Sequence, residues 1–80
     1  MLNLIKYIEG LIGKEIIVKT RFGVIKGILR EVGHNGALLL EDYEKISGNI
    51  ESEFDGKTVL IRGDNIVAIM IGMEESQEGD

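Results

Sequence analysis

The hydrophobic positions at the start of the chain follow a helical spacing. Large aliphatic side chains recur there every three to four residues, at Leu2, Ile5, Ile8 and Ile12. Polar residues separate them, which is typical of an amphipathic helix. Asn3 is placed to cap this helix, and Gly10 or Gly13 to end it. The pattern predicts a short N-terminal helix that depends on docking its apolar face.

From residue 15 the pattern changes to β-branched runs broken by glycines, which predicts five short strands. They cover residues 15–20, 24–32, 37–44, 58–61 and 66–71. Gly27 lies inside the second strand, where a glycine marks a bend or a bulge. Residues 33–36 (GHNG) predict a tight turn in which two glycines can adopt positive φ, and residues 45–57 a polar, partly extended connection. The expected fold is mainly β: a small, strongly bent five-stranded antiparallel barrel with a short N-terminal α-helix.

The last two predicted strands, TVLI and IVAIMI, are apolar on nearly every position. Such a strand is buried on both faces, or its edge lies against another chain. A chain of 80 residues also buries only about 60% of its unfolded surface on its own. Both considerations predict self-association.

Charge is unevenly distributed along the sequence. The formal net charge is −5, but four acidic residues fall in the last seven positions. Residues 1–72 carry nine basic and ten acidic side chains, which argues against a broad basic surface and leaves room for a local nucleic-acid pocket. We expect a single domain over residues 1–72 and a disordered acidic tail over residues 73–80.

The composition argues against several function classes. There is no cysteine, only one histidine (His34), no P-loop and no nucleotide-binding glycine fingerprint. We therefore expect no disulfide, no metal, no cofactor and no enzymatic activity. No apolar run approaches the roughly 20 residues that span a bilayer. With no signal peptide expected either, the chain is predicted to be a cytoplasmic binding module without membrane contact.

Two segments resemble the motifs of a known family. Residues 27–41 (GILREVGHNGALLLE) resemble the first Sm motif, in which a glycine opens a bent strand, a turn follows, and a leucine-rich strand ends in acidic residues. Residues 61–66 (IRGDNI) resemble the second Sm motif, a short loop between the last two strands. The resemblance spans about residues 2–72. The short polar connection and the lone compact domain are similar to the archaeal branch of the Sm-like (Lsm) family.

The resemblance implies an assembly and a ligand. Sm-like domains close into homo-oligomeric rings, most often heptamers in archaea, by pairing the fourth strand of one subunit (here 58–61) with the fifth of its neighbour (here 66–71). Such rings commonly bind uridine-rich single-stranded RNA at the central pore. An arginine plane and a turn side chain can sandwich an unstacked base while a polar group reads its edge. The positions implied here are His34, Asn35, Arg62, Gly63, Asp64 and Asn65.

The turn between strands two and three departs from the family pattern. Gly33 stands where the family usually has Asp, and Ala37 where it usually has the base-reading Asn. Asn35 occupies the stacking position, with His34 one place earlier, and Gly36 replaces an apolar residue. The hairpin between strands one and two is also one residue shorter than usual. Half of the pocket therefore matches the family and half is altered.

Each residue of the second motif has two interpretations. Arg62 either stacks on a base or contacts phosphate, or it is a charge that stabilises the ring at the pore. Asp64 and Asn65 either read a base or serve as ordinary turn residues.

The same holds for the turn. His34 is either a solvated turn residue or a stacking group, and Asn35 either contacts a base or forms the turn. Arg21 and Lys19, near the first hairpin, offer a weak second RNA contact on the helix face or rim.

Three hypotheses follow. The first is a homo-heptameric ring that binds U-rich single-stranded RNA in RNA metabolism. The second is a ring that serves as a scaffold for protein–protein interaction, with paralogue or other protein partners and weak or no RNA binding. The third is a monomeric SH3-like barrel that binds a peptide and has a mass near 8.8 kDa.

Overall fold

The computed structural model describes residues 3–49 and 55–72. In chain order it contains α1 (Leu4–Glu9), β1 (Glu15–Thr20), β2 (Gly23–Val32), β3 (Leu38–Gly48), β4 (Val59–Ile61), a 3₁₀ turn (Gly63–Asn65) and β5 (Ile66–Ile71). The predictions for Leu2, for residues 50–54 of the connection and for the tail over 73–80 lie outside the described residues.

The N-terminal helix begins and ends where capping chemistry predicts. The Asn3 side-chain Oδ1 accepts the Lys6 backbone N–H at 3.1 Å, and Gly10 is the C-cap, so the helix ends at the first of the two candidate glycines. Ile8 packs against the core and Leu11, just beyond the helix, is buried. Docking therefore supports this short helix, as predicted. No helix in the described part of the chain is long and apolar enough to cross a membrane.

The five strands form one antiparallel sheet in the order β4-β3-β2-β1-β5. Side chains that are fully buried between the folded-over halves of this sheet form the centre of the core: Ile16, Val18, Leu29, Leu38 and Leu40. The bent five-stranded fold with a short N-terminal helix is thus confirmed. Because β4 and β5 are the two ends of the strand order, each leaves one edge without a partner among the described residues.

The predicted bend at Gly27 is confirmed. The register between β2 and β3 shifts between Lys26 and Ile28, so Gly27 is skipped in the pairing. A Cβ atom at Gly27 would lie 3.2 Å from both the Glu41 carbonyl oxygen and the Tyr43 Cβ. A side chain at this position would require its neighbours to shift by a few tenths of an ångström, so glycine favours the close approach of the strands.

The third strand is longer than predicted. It starts at Leu38 instead of residue 37 and continues to Gly48 instead of ending at residue 44. Lys45 and Ser47 pair with the first residues of β2. Cross-strand pairing with the long β2 thus overrides the polar character of this segment. β2 and β4 each differ from their predicted starts by one residue, and β1 and β5 match.

The two edge strands expose apolar side chains, as their two-sided apolarity predicted. Leu60 on β4 is 65% exposed, and Val67 and Met70 on β5 are 59% and 42% exposed. No residue of β5 is buried within the chain. An apolar, unpaired edge favours association with another strand.

Candidate nucleic-acid interface

The two loops that carry the predicted site residues lie against each other. We call residues 33–36 the β2–β3 turn and residues 62–65 the β4–β5 loop. A Cβ atom at Gly63 would lie 2.6 Å from the Asn35 carbonyl oxygen and 3.1 Å from the Gly36 carbonyl carbon. Only a glycine at position 63 permits this contact. The structure thereby brings into contact the two loops that carry the six predicted site residues.

Backbone hydrogen bonds hold the β2–β3 turn in shape. The Gly33 N–H donates to the Ala37 carbonyl oxygen and the Gly36 N–H donates to the Gly33 carbonyl oxygen, both at 2.8 Å. Gly36 has a φ of 89°, a conformation that favours glycine, whereas Gly33 does not have a positive φ. Of the two glycines of this turn that can adopt a positive φ, only Gly36 does so.

The Asn35 side chain is folded back into its own turn. Its Oδ1 accepts the Ala37 backbone N–H at 3.2 Å. A Cβ atom at Gly33 would lie 2.9 Å from this Oδ1, so the glycine leaves room for the folded side chain. Of the two interpretations of Asn35, this geometry favours turn formation. His34, next to it, is exposed.

The β4–β5 loop presents an exposed guanidinium group. The Asn65 N–H donates to the Arg62 carbonyl oxygen at 3.0 Å and closes the 3₁₀ turn. Arg62 Nη2 lies 3.3 Å from Asp64 Oδ2, with the two side chains 78% and 67% exposed. Ion pairs this exposed contribute little to stability, so a ligand can compete for Arg62 at small cost.

The β1–β2 hairpin also contacts this loop. Arg21 Nε donates to the Asp64 carbonyl oxygen at 3.3 Å, and the Arg21 backbone N–H donates to the Asn65 carbonyl oxygen at 3.1 Å. The sequence predicted an RNA contact by Arg21 on the helix face or rim. In the structure, Arg21 contacts the β4–β5 loop.

An apolar cleft of about 310 Å³ lies beside the loop, along the free edge of β4. Its lining combines side chains from the hairpin, the core and the edge: Thr20, Phe22, Ile25, Tyr43, Val59, Leu60, Ile61, Arg62 and Asn65. Burial and the nearby Asp55 carboxylate raise the pKa of Tyr43. The cleft is therefore an apolar recess with polar groups at one end.

The chemistry of the interface is that of binding. It offers a guanidinium group, an imidazole and amides around a contact made of glycine backbone, which suits stacking on an unpaired base and hydrogen bonding to phosphate. Within residues 3–49 and 55–72, no three His, Asp or Glu side chains come together in a way that could hold a metal ion.

Comparison with known proteins identifies the same fold and motifs. The LSM domain family model matches residues 6–71. A heptameric archaeal Sm protein is 36% identical, with a TM-score of 0.68, over 84% of this chain and 97% of that one. The P. aerophilum SmAP1 heptamer is 35% identical, with a TM-score of 0.73, over 90% and 96%. The Pyrococcus abyssii Sm protein in complex with a uridine heptamer is 26% identical, with a TM-score of 0.71, over 86% and 97%.

A comparison with curated protein sequences found no significant match. Sm-like proteins are RNA-binding scaffolds and not enzymes, in agreement with the prediction made from the residue composition. Both Sm motifs fall inside the matched residues, and the structural likeness extends over most of the chain. This chain belongs to the LSM domain family of Sm-like proteins and is of the archaeal type.

Proposed function

We propose that this chain forms a homo-heptameric ring that binds short single-stranded, U-rich RNA at its central pore and acts in RNA metabolism. Two of the similar structures are heptamers, and a third holds a uridine heptamer. As part of this proposal we retain a single domain over residues 1–72, an acidic tail over residues 73–80 and a cytoplasmic location.

The contact between Gly63 and the β2–β3 turn carries the proposal. It places the exposed Arg62 guanidinium and the exposed His34 imidazole on loops that lie in direct contact. In a ring, these loops repeat around the axis, so successive nucleotides can meet equivalent sites. We assign base stacking or phosphate contact to Arg62 and a second stacking surface to His34. Asp64 and Asn65 supply polar groups beside them.

The edges of the sheet support the ring. Residues 58–61 of one subunit would pair with residues 66–71 of the next, which satisfies both unpaired edges of every subunit. This pairing would cover Leu60, Val67 and the cleft along β4. Since each subunit uses two different surfaces, the contact is heterologous and can close into a ring.

Fluorescence anisotropy tests the RNA site directly. Labelled oligo-U and oligo-A are titrated with the wild-type chain and with Arg62→Ala, while light scattering gives the mass of the species titrated. Arg30→Ala is the matched control, because Arg30 is also exposed but lies on β2, outside both loops, and pairs with Glu41 at 2.7 Å. We expect oligo-U binding that Arg62→Ala weakens and Arg30→Ala does not. Unchanged affinity in Arg62→Ala would refute the assignment.

The alternative function is a ring that serves as a protein-interaction scaffold. The observation that favours it is the altered turn, where position 37 has no polar side chain and the Asn35 Oδ1 is engaged by the backbone. An assembled ring with no oligo-U affinity at low salt would support this alternative.

A further inference from the structure

Arg21 is attached to the β4–β5 loop by two hydrogen bonds that bridge distant parts of the chain. Its Nε donates to the Asp64 carbonyl oxygen at 3.3 Å, across 43 residues of sequence. Its backbone N–H donates to the Asn65 carbonyl oxygen at 3.1 Å. The Arg21 guanidinium is therefore held beside the loop that carries Arg62.

The hairpin that carries Arg21 is braced on both sides. The Thr20 Oγ1 accepts the N–H groups of Phe22 and Gly23, both at 3.1 Å, and donates to the Gly23 carbonyl oxygen at 2.9 Å. From the other side, the Asn49 N–H donates to the Phe22 carbonyl oxygen at 2.8 Å. A side chain on a braced backbone loses less freedom when it binds a ligand.

The positive charge of Arg21 is not neutralised by a carboxylate among the described residues. Arg62 pairs with Asp64, and Arg21 forms no ion pair with any carboxylate of the described residues. A guanidinium has five N–H donors, of which Nε supplies only one, so the four on the two Nη atoms remain after the bond to Asp64. Arg21 is exposed, and this fork of donors matches the oxygens of a phosphate group.

We propose that Arg21 is a second RNA-contacting cation of each subunit and binds the phosphate backbone beside the base held at Arg62. This inference rests on the proposed function, since it requires single-stranded RNA bound at the pore. In this arrangement Arg62 faces the base while Arg21 neutralises a phosphate. Arg21 therefore contributes affinity that depends on salt and does not depend on base identity.

The test is a salt titration of oligo-U and oligo-A binding for the wild type and Arg21→Gln. Removing a phosphate contact to single-stranded RNA should make the slope of log affinity against log salt shallower by about 0.7 per phosphate. We expect affinity at low salt to fall on the order of tenfold and the ratio of oligo-U to oligo-A affinity to stay constant.

Two further variants act as controls. Lys14→Gln removes an exposed cation that precedes β1 and makes no side-chain hydrogen bond among the described residues, and should behave as wild type. Arg21→Lys keeps the charge and should retain most of the slope. Light scattering and thermal unfolding of each variant establish that the assembly is intact.

The outcomes separate the two proposals. If the wild type binds and Arg62→Ala weakens binding, but Arg21→Gln keeps the wild-type affinity and slope, the inference about Arg21 is wrong while the proposed function stands. A loss of affinity in Arg21→Gln with an unchanged slope would mean that Arg21 only supports the loop, which also overturns the phosphate contact. No oligo-U binding by the wild type overturns both.

Discussion

Gly63 and Asn35 touch through their backbones, and the space between them is too small for a single methyl group. A Cβ atom on Gly63 would lie 2.6 Å from the Asn35 carbonyl oxygen. The atom in the way is backbone and cannot swing aside like a flexible side chain. The two Sm motifs thus form one surface because position 63 is glycine.

We expect Gly63→Ala to separate the two loops. Forcing a methyl group into this contact should lower the free energy of unfolding by about 1–3 kcal/mol, as overpacking does elsewhere. It should also weaken oligo-U binding, because Arg62 moves relative to His34. Urea unfolding and fluorescence anisotropy measure the two effects.

The matched control for this substitution is Gly10→Ala. A Cβ atom there would lie 3.3 Å from the Tyr7 carbonyl oxygen, at the exposed end of α1 and with a φ of −68°. This variant should fold and bind RNA nearly as well as the wild type. Equal stability of the two variants would contradict the account of Gly63.

Ala37→Asn restores the side chain that the family places at the base-reading position. An added hydrogen bond to a base edge should increase the preference for oligo-U over oligo-A by about 1–3 kcal/mol per site. Anisotropy titrations with both oligonucleotides measure this ratio. Ala37→Leu, which has a similar size and no polar group, should leave the preference unchanged. If both variants changed it equally, shape and not hydrogen bonding would be responsible.

The parts of the fold that could be predicted depend on local patterns. The bounds of β1 and β5 follow from runs of β-branched residues, and the N-cap Asn3 from the chemistry of its side chain. The extension of β3 to Gly48 could not be predicted in the same way. Its polar residues are extended because β2 offers them partners, and such pairing leaves no trace in the local sequence.

The candidate site likewise has features that the local sequence predicts and features that depend on contacts across the fold. The motifs identified the six residues, and their proximity follows from the fold. The steric role of Gly63 depends on a turn that lies 27 residues earlier in the chain, and the position of Arg21 depends on carbonyl groups of the β4–β5 loop. Both relationships depend on backbone groups that are distant in sequence. Residue identity alone therefore cannot reveal them.

Leu60→Arg should prevent assembly. Leu60 is 65% exposed on the unpaired edge strand β4, and pairing with a neighbouring β5 would bury it. Burying an unpaired guanidinium is costly, so the ring should dissociate. Light scattering should then give a mass near 8.8 kDa, whereas the proposed ring of seven chains would have a mass of about 62 kDa.

Ile46→Arg is the control for charge and size. Ile46 is 49% exposed but lies on β3, which is not one of the two end strands of the sheet order. This variant should keep the mass of the wild type. A ring that survives Leu60→Arg would contradict the proposed pairing of residues 58–61 with residues 66–71.

Tyr43 should make stability depend on pH in the alkaline range. Its ring is buried, and burial together with the nearby Asp55 carboxylate raises the pKa of its hydroxyl. In the unfolded chain a tyrosine ionises near pH 10, so above about pH 10 the unfolded state releases this proton more readily than the folded state. The contribution of Tyr43 to the free energy of unfolding is therefore complete below about pH 10, and it is lost as the pH rises through the folded pKa. Urea unfolding at fixed protein concentration, from about pH 8 to about pH 11, measures the decline.

Substitutions separate this effect from other groups that titrate in the same range. Tyr43→Phe keeps the buried ring and removes the ionisable hydroxyl, so its free energy of unfolding should fall less steeply between these pH values than that of the wild type. Tyr7→Phe is the matched control for the loss of a tyrosine hydroxyl, since Tyr7 is 57% exposed on the helix. Asp55→Asn removes the second cause of the shift and should make the decline with pH shallower. If the free energy of unfolding fell equally steeply with pH in Tyr43→Phe and in the wild type, Tyr43 would not be the cause of the loss of stability at alkaline pH.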